Sequence, residues 1–365
     1  MGETKYVHIL KITALLTLVG TAAPNAMAGK PSNGIIVDCV GDSITAGYNL
    51  AGNQSYPSQL SGMLGGSYII NNFGVSSTTM LKNGNYSYWG TRTYSNSLRS
   101  SPKYVIIAFG TNDSKSYNWD THGSEFVGDY QSMISSYATL NSQPTVFVTY
   151  ITPYYLPNPW PSDFPDPARI PNLINPAIQQ VVTSTGSPSI DDYNPFVNQP
   201  QLFGDGIHPT VDGAHIIARN VYNAITGANL SVLKGAYISD GSGPSGGITA
   251  NGAAAAFDVN SDTYYDAAQS TGAWTGIDLG SNNTKSIRMI CYSPRAGYES
   301  RMVGGAFQGS NDQVNWSNLA TISTSPGDTY TAIPITGAPV YRYLRYYSAA
   351  TGSYGSVAEV EFLGK

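Results

Sequence analysis

The sequence predicts two unlike folds in tandem: a three-layer α/β/α sandwich built on a parallel sheet, then an antiparallel β-sandwich. Three observations carry this reading. From residue 34 to about 228, short continuously apolar runs alternate with helical stripes, as expected for strands buried on both faces and joined by helices. Between 230 and 247 the chain turns Gly- and Ser-rich, with Asp240-Gly241-Ser242-Gly243-Pro244 reading as a linker or first loop. Beyond it, short strands and turns alternate roughly every ten residues with no long helical pattern, which spells a β-sandwich.

In the first half, strands are expected at 35–40, 68–71, 104–109 and 146–151. Helices are expected at 56–64, at 126–140, where Phe126, Tyr130, Met133 and Tyr137 share one stripe, and at 211–225, where Ala214, Ile217, Val221 and Ala224 do. The Pro-rich stretch 153–171, with Tyr154, Tyr155, Trp160 and Phe164, reads as a long loop, and loops of that length are commonly functional or mobile. In the second half, strands are expected at 275–279, 286–292, 306–310, 341–347 and 357–363.

Composition bounds the partners. Charged residues make up only 11% of the 365, against roughly 25% in ordinary soluble proteins, and Gly, Ser, Thr, Asn and 27 tyrosines fill the gap. Such a surface suits neutral, hydroxyl-rich partners, and a net charge of -5 offers no basic field for nucleic acid. Lys5 and Lys11 precede an apolar run, 12–19, and Ala26-Met27-Ala28 is a small-x-small cleavage site, so 1–28 reads as a secretory signal. That run is too short to span a bilayer, no later segment does better, and the mature chain is expected to be soluble and secreted. Export permits a disulfide between Cys39 and Cys291, the alternative to two buried free thiols, and with no Cys- or His-rich cluster beside either, neither reads as a nucleophile or metal ligand.

The chemistry is expected where strands end. Ser43 follows the strand 35–40 in the turn Gly41-Asp42-Ser43, at the carboxyl edge where open α/β sheets keep their ligands. A serine hydroxyl is a poor nucleophile until a base takes its proton. Asn72-Phe73-Gly74 and Gly110-Thr111-Asn112-Asp113 follow two further strands at the same edge; an unobstructed glycine N–H and an Asn amide are the donor types that an oxyanion needs. Just before the last helix, Asp205-Gly206-Ile207-His208-Pro209 spaces a carboxylate to reach His208 Nδ1, which leaves Nε2 as the base. His122 and His215 read as surface or packing residues, and Asp42 and Asp113 as turn and loop anchors.

These four blocks, in this order, resemble the SGNH (GDSL-type) hydrolases over essentially all of residues 34–226. The resemblance implies a flavodoxin-like parallel sheet and a serine esterase domain at 29–229. It also implies a catalytic triad of Ser43, Asp205 and His208, and an oxyanion hole made by the Ser43 and Gly74 N–H groups and the Asn112 amide. No cofactor is implied for catalysis. Ser77 departs from the pattern, since the family often has glycine there. The absence of a second glycine in a Gly-x-Ser-x-Gly elbow separates the chain from ordinary α/β-hydrolases.

After the linker, placed at 230–249, the pieces 256–264, 274–280, 308–312 and 358–362 resemble the galactose-binding-like jelly roll of the discoidin or coagulation-factor type C group, which includes many carbohydrate-binding modules. That resemblance covers most of 250–365 and implies a structural Ca²⁺ held by Asp258, Asn260 (through its carbonyl), Thr263 and Glu359, oxygen ligands that suit a hard cation. Tyr265, Arg295, Tyr298 and Tyr354 are the expected carbohydrate-binding residues. The combined expectation is a secreted esterase that removes small acyl groups, acetyl first, from an acylated polysaccharide. A lipolytic or aryl esterase of the same family is the alternative within the enzymes, and an inactive carbohydrate-binding or adhesion protein is the alternative outside them.

Overall fold

The computed structural model describes residues 34–156 and 164–365. The expected leader and Trp160 lie outside the described residues. Among the described residues no helix is long and apolar enough to cross a membrane.

The first half is built on five parallel strands: β1 (Ile35–Gly41), β2 (Tyr68–Gly74), β3 (Tyr104–Ala108), β4 (Thr145–Tyr150) and β5 (Ser189–Asp191). They run in the order β2-β1-β3-β4-β5, a flavodoxin-like sheet. The intervening helices are α1 (Ser43–Ala46), α2 (Tyr56–Leu64), α3 (Arg92–Ser97), α4 (Ser116–His122), α5 (Phe126–Ala138), α6 (Asn175–Thr185) and α7 (Val211–Thr226). The two faces of each strand feed different cores. Val40, Val105, Ile107 and Val148 pack against α5 and α6 through Phe126, Tyr130, Met133 and Ile178. Val37, Cys39, Ile106 and Phe147 pack against α2 and α7 through Leu60, Met63, Ile217 and Val221. Strands buried on both faces have no room for polar alternation, which is why they read as continuous apolar runs. Cys39 and Cys291 are buried free thiols.

The stretch expected as a linker contributes structure instead. β6 (Ser231–Val232) pairs with the last strand and β7 (Ala236–Ser239) lies at the edge of a sheet. The remaining strands are β8 (Ala273–Asp278), β9 (Lys285–Ser293), β10 (Ala306–Ser310), β11 (Ser317–Thr321), β12 (Thr331–Pro334), β13 (Val340–Tyr341), β14 (Tyr343–Ser348) and β15 (Glu359–Gly364). One antiparallel sheet runs β11-β10-β14-β8-β7 and the other β12-β9-β15-β6, with β13 added beside β9. Ile277, Phe307, Leu344, Tyr346, Ile290 and Phe362 fill the space between them.

The two halves share one continuous core. Met289, Cys291, Tyr330 and Leu363 of the sandwich pack into the cluster that holds α2 and α7 against the parallel sheet. Three residues on successive turns of α7 reach across. Asp212 accepts hydrogen bonds from the Tyr330 hydroxyl (3.0 Å) and from Ser261 N and Oγ (3.1 Å each). His215 stacks on Tyr330 at 3.8 Å and meets Glu361 at 3.0 Å, and Arg219 meets the other oxygen of Glu361 at 2.6 Å. The second ring nitrogen of His215 lies 3.1 Å from Gln59 Oε1 on α2. Burial opposes ionisation of Glu361, but Arg219 and His215 outweigh it and hold the carboxyl down at about 2.

A carboxyl held below its ordinary range contributes stability above the unfolded-state value, about 4.3, and loses that contribution as pH falls through the folded one. Glu361→Gln leaves Arg219 and His215 buried without their anion and should cost about 3–5 kcal/mol at neutral pH. Melting curves of parent and variant should be far apart at pH 7 and converge as pH is lowered from about 4 toward 2.

Candidate active site

The strand order reverses between β1 and β3, and the crevice at such a switch point is where doubly wound sheets bind ligands. Ser43 leaves the end of β1 as the first residue of α1, and Asn112 leaves the end of β3. Asp42 caps α1, its Oδ1 accepting from Ile44 N at 3.0 Å, and burial raises its carboxyl above the ordinary range. Gly74, at the end of β2, has ordinary backbone angles but no space: a Cβ there would lie 2.2 Å from Ala46 N, so glycine is what lets α1 sit against the sheet edge.

The segment before α7 brings His208 to Ser43. His208 Nε2 lies 2.9 Å from Ser43 Oγ, and His208 Nδ1 lies 2.7 Å from Asp205 Oδ2. The turn is fixed by its own acid: Asp205 Oδ1 accepts from the backbone N–H of Ile207 at 3.0 Å and of His208 at 2.7 Å. Burial disfavours the Asp205 anion, yet these hydrogen bonds and the His208 ring prevail and hold the carboxyl below its usual range. Gly206 takes φ +82°, and a Cβ on it would lie 2.7 Å from the carbonyl oxygen of Tyr155, whose N–H donates to the Gly206 carbonyl. The loop after β4 thus clamps the acid–base turn. Tyr48 lies against the His208 ring with centroids 4.6 Å apart.

These groups open onto a cavity of about 370 Å³ lined by Ser76, Ser77, Thr111, Asn112, Phe164 and Ile207 besides Ser43, Asp205 and His208. One N–H of the Asn112 amide goes to the Thr78 carbonyl at 3.1 Å, which fixes the side chain and leaves its second N–H as a donor. The Asn112 carbonyl is held by Asn118 Nδ2 at 2.8 Å. Asp113, buried and raised to about 7 by that burial, accepts from Met80 N and Leu81 N and so ties the loop after β2 to the end of β3.

Gly74, expected as an oxyanion donor, lies at the end of β2 beside α1. Its N–H donates to Asn72 Oδ1 at 2.9 Å, and Gly74 is not among the cavity-lining residues. The β2 turn reaches the cavity through Ser76 and Ser77 instead. Ser77, where a glycine was the expected residue, adopts φ +68°, a left-handed conformation that costs a non-glycine residue of order 1 kcal/mol. His122 contacts Glu125 at 3.0 Å, away from the cavity, and His215 belongs to the interface with the sandwich.

In the sandwich, Asp258, Asn260, Thr263 and Glu359 come together. Thr263 Oγ1 lies 2.9 Å from both Asp258 oxygens and 2.8 Å from the Asn260 carbonyl, and Asn260 N donates to Glu359 Oε1 at 2.9 Å. Burial, reinforced by the neighbouring Asp258 carboxyl, pushes Glu359 up to about 10. Two carboxyl groups of like charge, a hydroxyl and a carbonyl packed this closely are the donor set of a hard cation, and these residues fit one.

Of the expected sugar-binding residues, Tyr265 is misplaced. It is 2% exposed and its hydroxyl donates to Asp240 Oδ2 at 3.1 Å, a packing role that periodicity could not distinguish from a loop position. Arg295, Tyr298 and Tyr354 do converge, with Arg301 and Tyr264 joining them. Arg295 lies over Tyr264 and Tyr298, Arg301 over Tyr298 and Tyr354, and both arginines pair with Asp266.

Comparison with known proteins matches both halves. Residues 39–216 match the GDSL-like lipase/acylhydrolase family, and residues 255–346 match the NedA-like, galactose-binding domain. An acetylxylan esterase of Xylanibacter ruminicola is 34% identical over 209 residues, covering 52% of this chain and 43% of the relative. The chain therefore spans less than half the length of that relative. Among solved structures, a carbohydrate acetylesterase, Est24, from Sinorhizobium meliloti is 19% identical, with TM-score 0.44, over 53% of this chain and 99% of its own. The CBM62 of Clostridium thermocellum Xyl5A is 36% identical, with TM-score 0.35, over 37% of this chain and 97% of its own.

Replacing Ser77 by glycine should relieve the left-handed strain and leave stability unchanged or raised by up to about 1 kcal/mol, read as the midpoint of urea unfolding. Chelation of divalent cations should lower the melting temperature of the parent chain and added Ca²⁺ should restore it. In Glu359→Gln that difference should shrink or vanish.

Proposed function

Since residues 39–216 form a GDSL-like (SGNH) hydrolase domain and residues 255–346 a galactose-binding-like domain, we propose that this chain is a secreted carbohydrate O-acetyl esterase. The observation that carries the reading is the relay from Ser43 Oγ through His208 to Asp205, at 2.9 and 2.7 Å. The likeness to an acetylxylan esterase supports a polysaccharide acetyl ester as substrate, and the small, open, polar-rimmed cavity supports a short acyl group. The basic and apolar residues ahead of Ala26-Met27-Ala28 support export, with residues 1–28 removed.

The mechanism follows from the geometry. Ser43 Oγ attacks the ester carbonyl carbon while His208 Nε2 takes its proton, and Asp205 orients the ring and stabilises the imidazolium that forms. The oxyanion is held by the free Asn112 N–H and the Ser43 N–H, which as the first in a helix has no partner within it. His208 then protonates the leaving sugar hydroxyl. Water, deprotonated by the same nitrogen, attacks the acyl-serine and releases acetate. No step calls on a cofactor. Asp258, Asn260, Thr263 and Glu359 would hold a Ca²⁺ whose part is to neutralise the two carboxylates and fix their loop.

The test is acetate release from acetylated xylan and from 4-nitrophenyl esters of increasing chain length. Release from the polymer, and activity falling with acyl length, is the expected result; activity rising toward long chains would replace the reading with a lipolytic one. Ser43→Ala should abolish turnover. Asn112→Ala should lower kcat by about 10²–10³ with little change in melting temperature, because it removes one oxyanion donor.

A further inference from the structure

The outer face of the β11-β10-β14-β8 sheet carries an arrangement that neither the esterase site nor the Asp266 cluster uses. Strand alternation places Arg345 and Tyr347 of β14 on the side opposite the buried Leu344 and Tyr346. Their cross-strand partners on that face are Gln308 of β10, opposite Arg345, and Trp274 of β8, opposite Tyr347. Gly276 is the other neighbour of Arg345, and a Cβ there would lie 2.8 Å from the Arg345 Cβ, so glycine is what lets β8 pass close beside the arginine. Trp316, at the end of the β10–β11 loop, folds back over the same spot.

The arginine is caged. Its guanidinium lies 3.9 Å from the Trp316 ring centroid, 4.8 Å from Tyr347 and 5.1 Å from Trp274, and its Nε donates to Gln308 Oε1 at 2.8 Å. Gln308 in turn donates to Asn318 Oδ1 at 2.7 Å. The loop that delivers Trp316 is itself fixed: Asp312 accepts from the N–H groups of Val314 and Asn315, and the Trp316 indole N–H donates to the Gln313 carbonyl at 3.0 Å. Beside it Val314 stands 78% exposed.

Among the described residues Arg345 has no counter-charge in ion-pair range. Arg219, Arg295, Arg301 and Arg342 each have a carboxylate oxygen within 3.5 Å, whereas no ion pair among the described residues includes Arg345. Burial among the rings pushes its guanidinium down to about 10, with no carboxylate to oppose the shift. An ordered, partly dehydrated cation with spare N–H donors and flat rings on its flanks is complementary to an anion carried on a flat-faced ligand. Pyranose rings present such a face, and a uronic acid supplies the carboxylate.

We propose that this sheet face is a second glycan-binding site, and that its ligand is a polysaccharide chain bearing uronic acid. Sugar rings lie against Trp316 and Trp274, and the uronate carboxylate accepts from the Arg345 fork. The site is separate from the Asp266 cluster and does not require the esterase reading, since binding is measured without ester chemistry.

The test is affinity electrophoresis of the full chain through gels containing a soluble uronic-acid-bearing xylan, or the same polymer after carboxyl reduction. Retardation by the acidic polymer, weakened at least tenfold in apparent affinity by carboxyl reduction and by Trp316→Ala, is the expected result. Arg345→Gln should reproduce the loss, and Tyr298→Ala in the other cluster should not. Unchanged melting temperatures would show that the variants fold. The proposal is overturned if the acidic polymer does not retard the parent chain, if the reduced polymer binds as well, or if folded Trp316→Ala and Arg345→Gln bind like the parent.

Discussion

His208 is held at both ends of a short turn. On its N-terminal side, Asp205 closes the turn by accepting two backbone N–H groups while it touches the ring. On its C-terminal side, Thr210 caps α7 through Gly213 N, and its own N–H donates to the Leu202 carbonyl. Gly213 is confined there, since a Cβ would lie 2.7 Å from the Leu202 oxygen. An imidazole acts as a base only within hydrogen-bond reach of its proton donor, so a small drift of α7 would carry Nε2 out of reach of Ser43. The sandwich restrains that drift by gripping α7 at Asp212, His215 and Arg219.

The carboxyls divide according to what faces them. Asp205 and Glu361 meet N–H groups or cations and are held below the usual range: one contacts the His208 ring, the other fastens two folds together. Asp42, Asp113 and Glu359 meet mostly burial and are raised. Asp113 accepts two backbone N–H groups and still rises to about 7, because it is fully enclosed and Asp42 lies nearby. Its hydrogen bonds to Met80 and Leu81 nevertheless tie down the loop on which Ser77 sits in a left-handed conformation. Strain in the loop is thus stored beside the cavity and held by a buried acid beneath it.

The sequence was legible where each local signal agreed with the fold. The helix at 56–64 appears with its predicted ends because Pro57 sits in its first turn and Gly65 follows its last residue. The convergence of Ser43, Asp205 and His208 was readable because each lies in a short turn with its own glycine or aspartate. α6 and β5 were not. α6 emerges from the end of the Pro-rich stretch through one π-helical turn at Ile170–Ile174, and three residues make β5 too short to show a period. The close approach to Ala46 that demands glycine at 74 had no local signature. Contacts between the halves had no local signature at all: His215 meets a residue 146 positions away.

That last point alters what a carbohydrate-binding half can do for a hydrolase half. The Gly- and Ser-rich stretch 230–249 reads as a flexible tether, and a tether raises substrate concentration near the active site whatever the orientation of the bound chain. Here the stretch supplies strands to both sheets, and an ion cluster and a shared apolar core fasten the sandwich to α7. Rigid linkage makes the gain depend on geometry: a polymer held on the sandwich presents only those ester positions that its register brings to Ser43, and the rest are excluded. Under the proposed function, the interface is therefore a determinant of which acetyl groups are removed. Loosening it should broaden the pattern of deacetylation along the polymer more than it slows turnover of a small soluble ester.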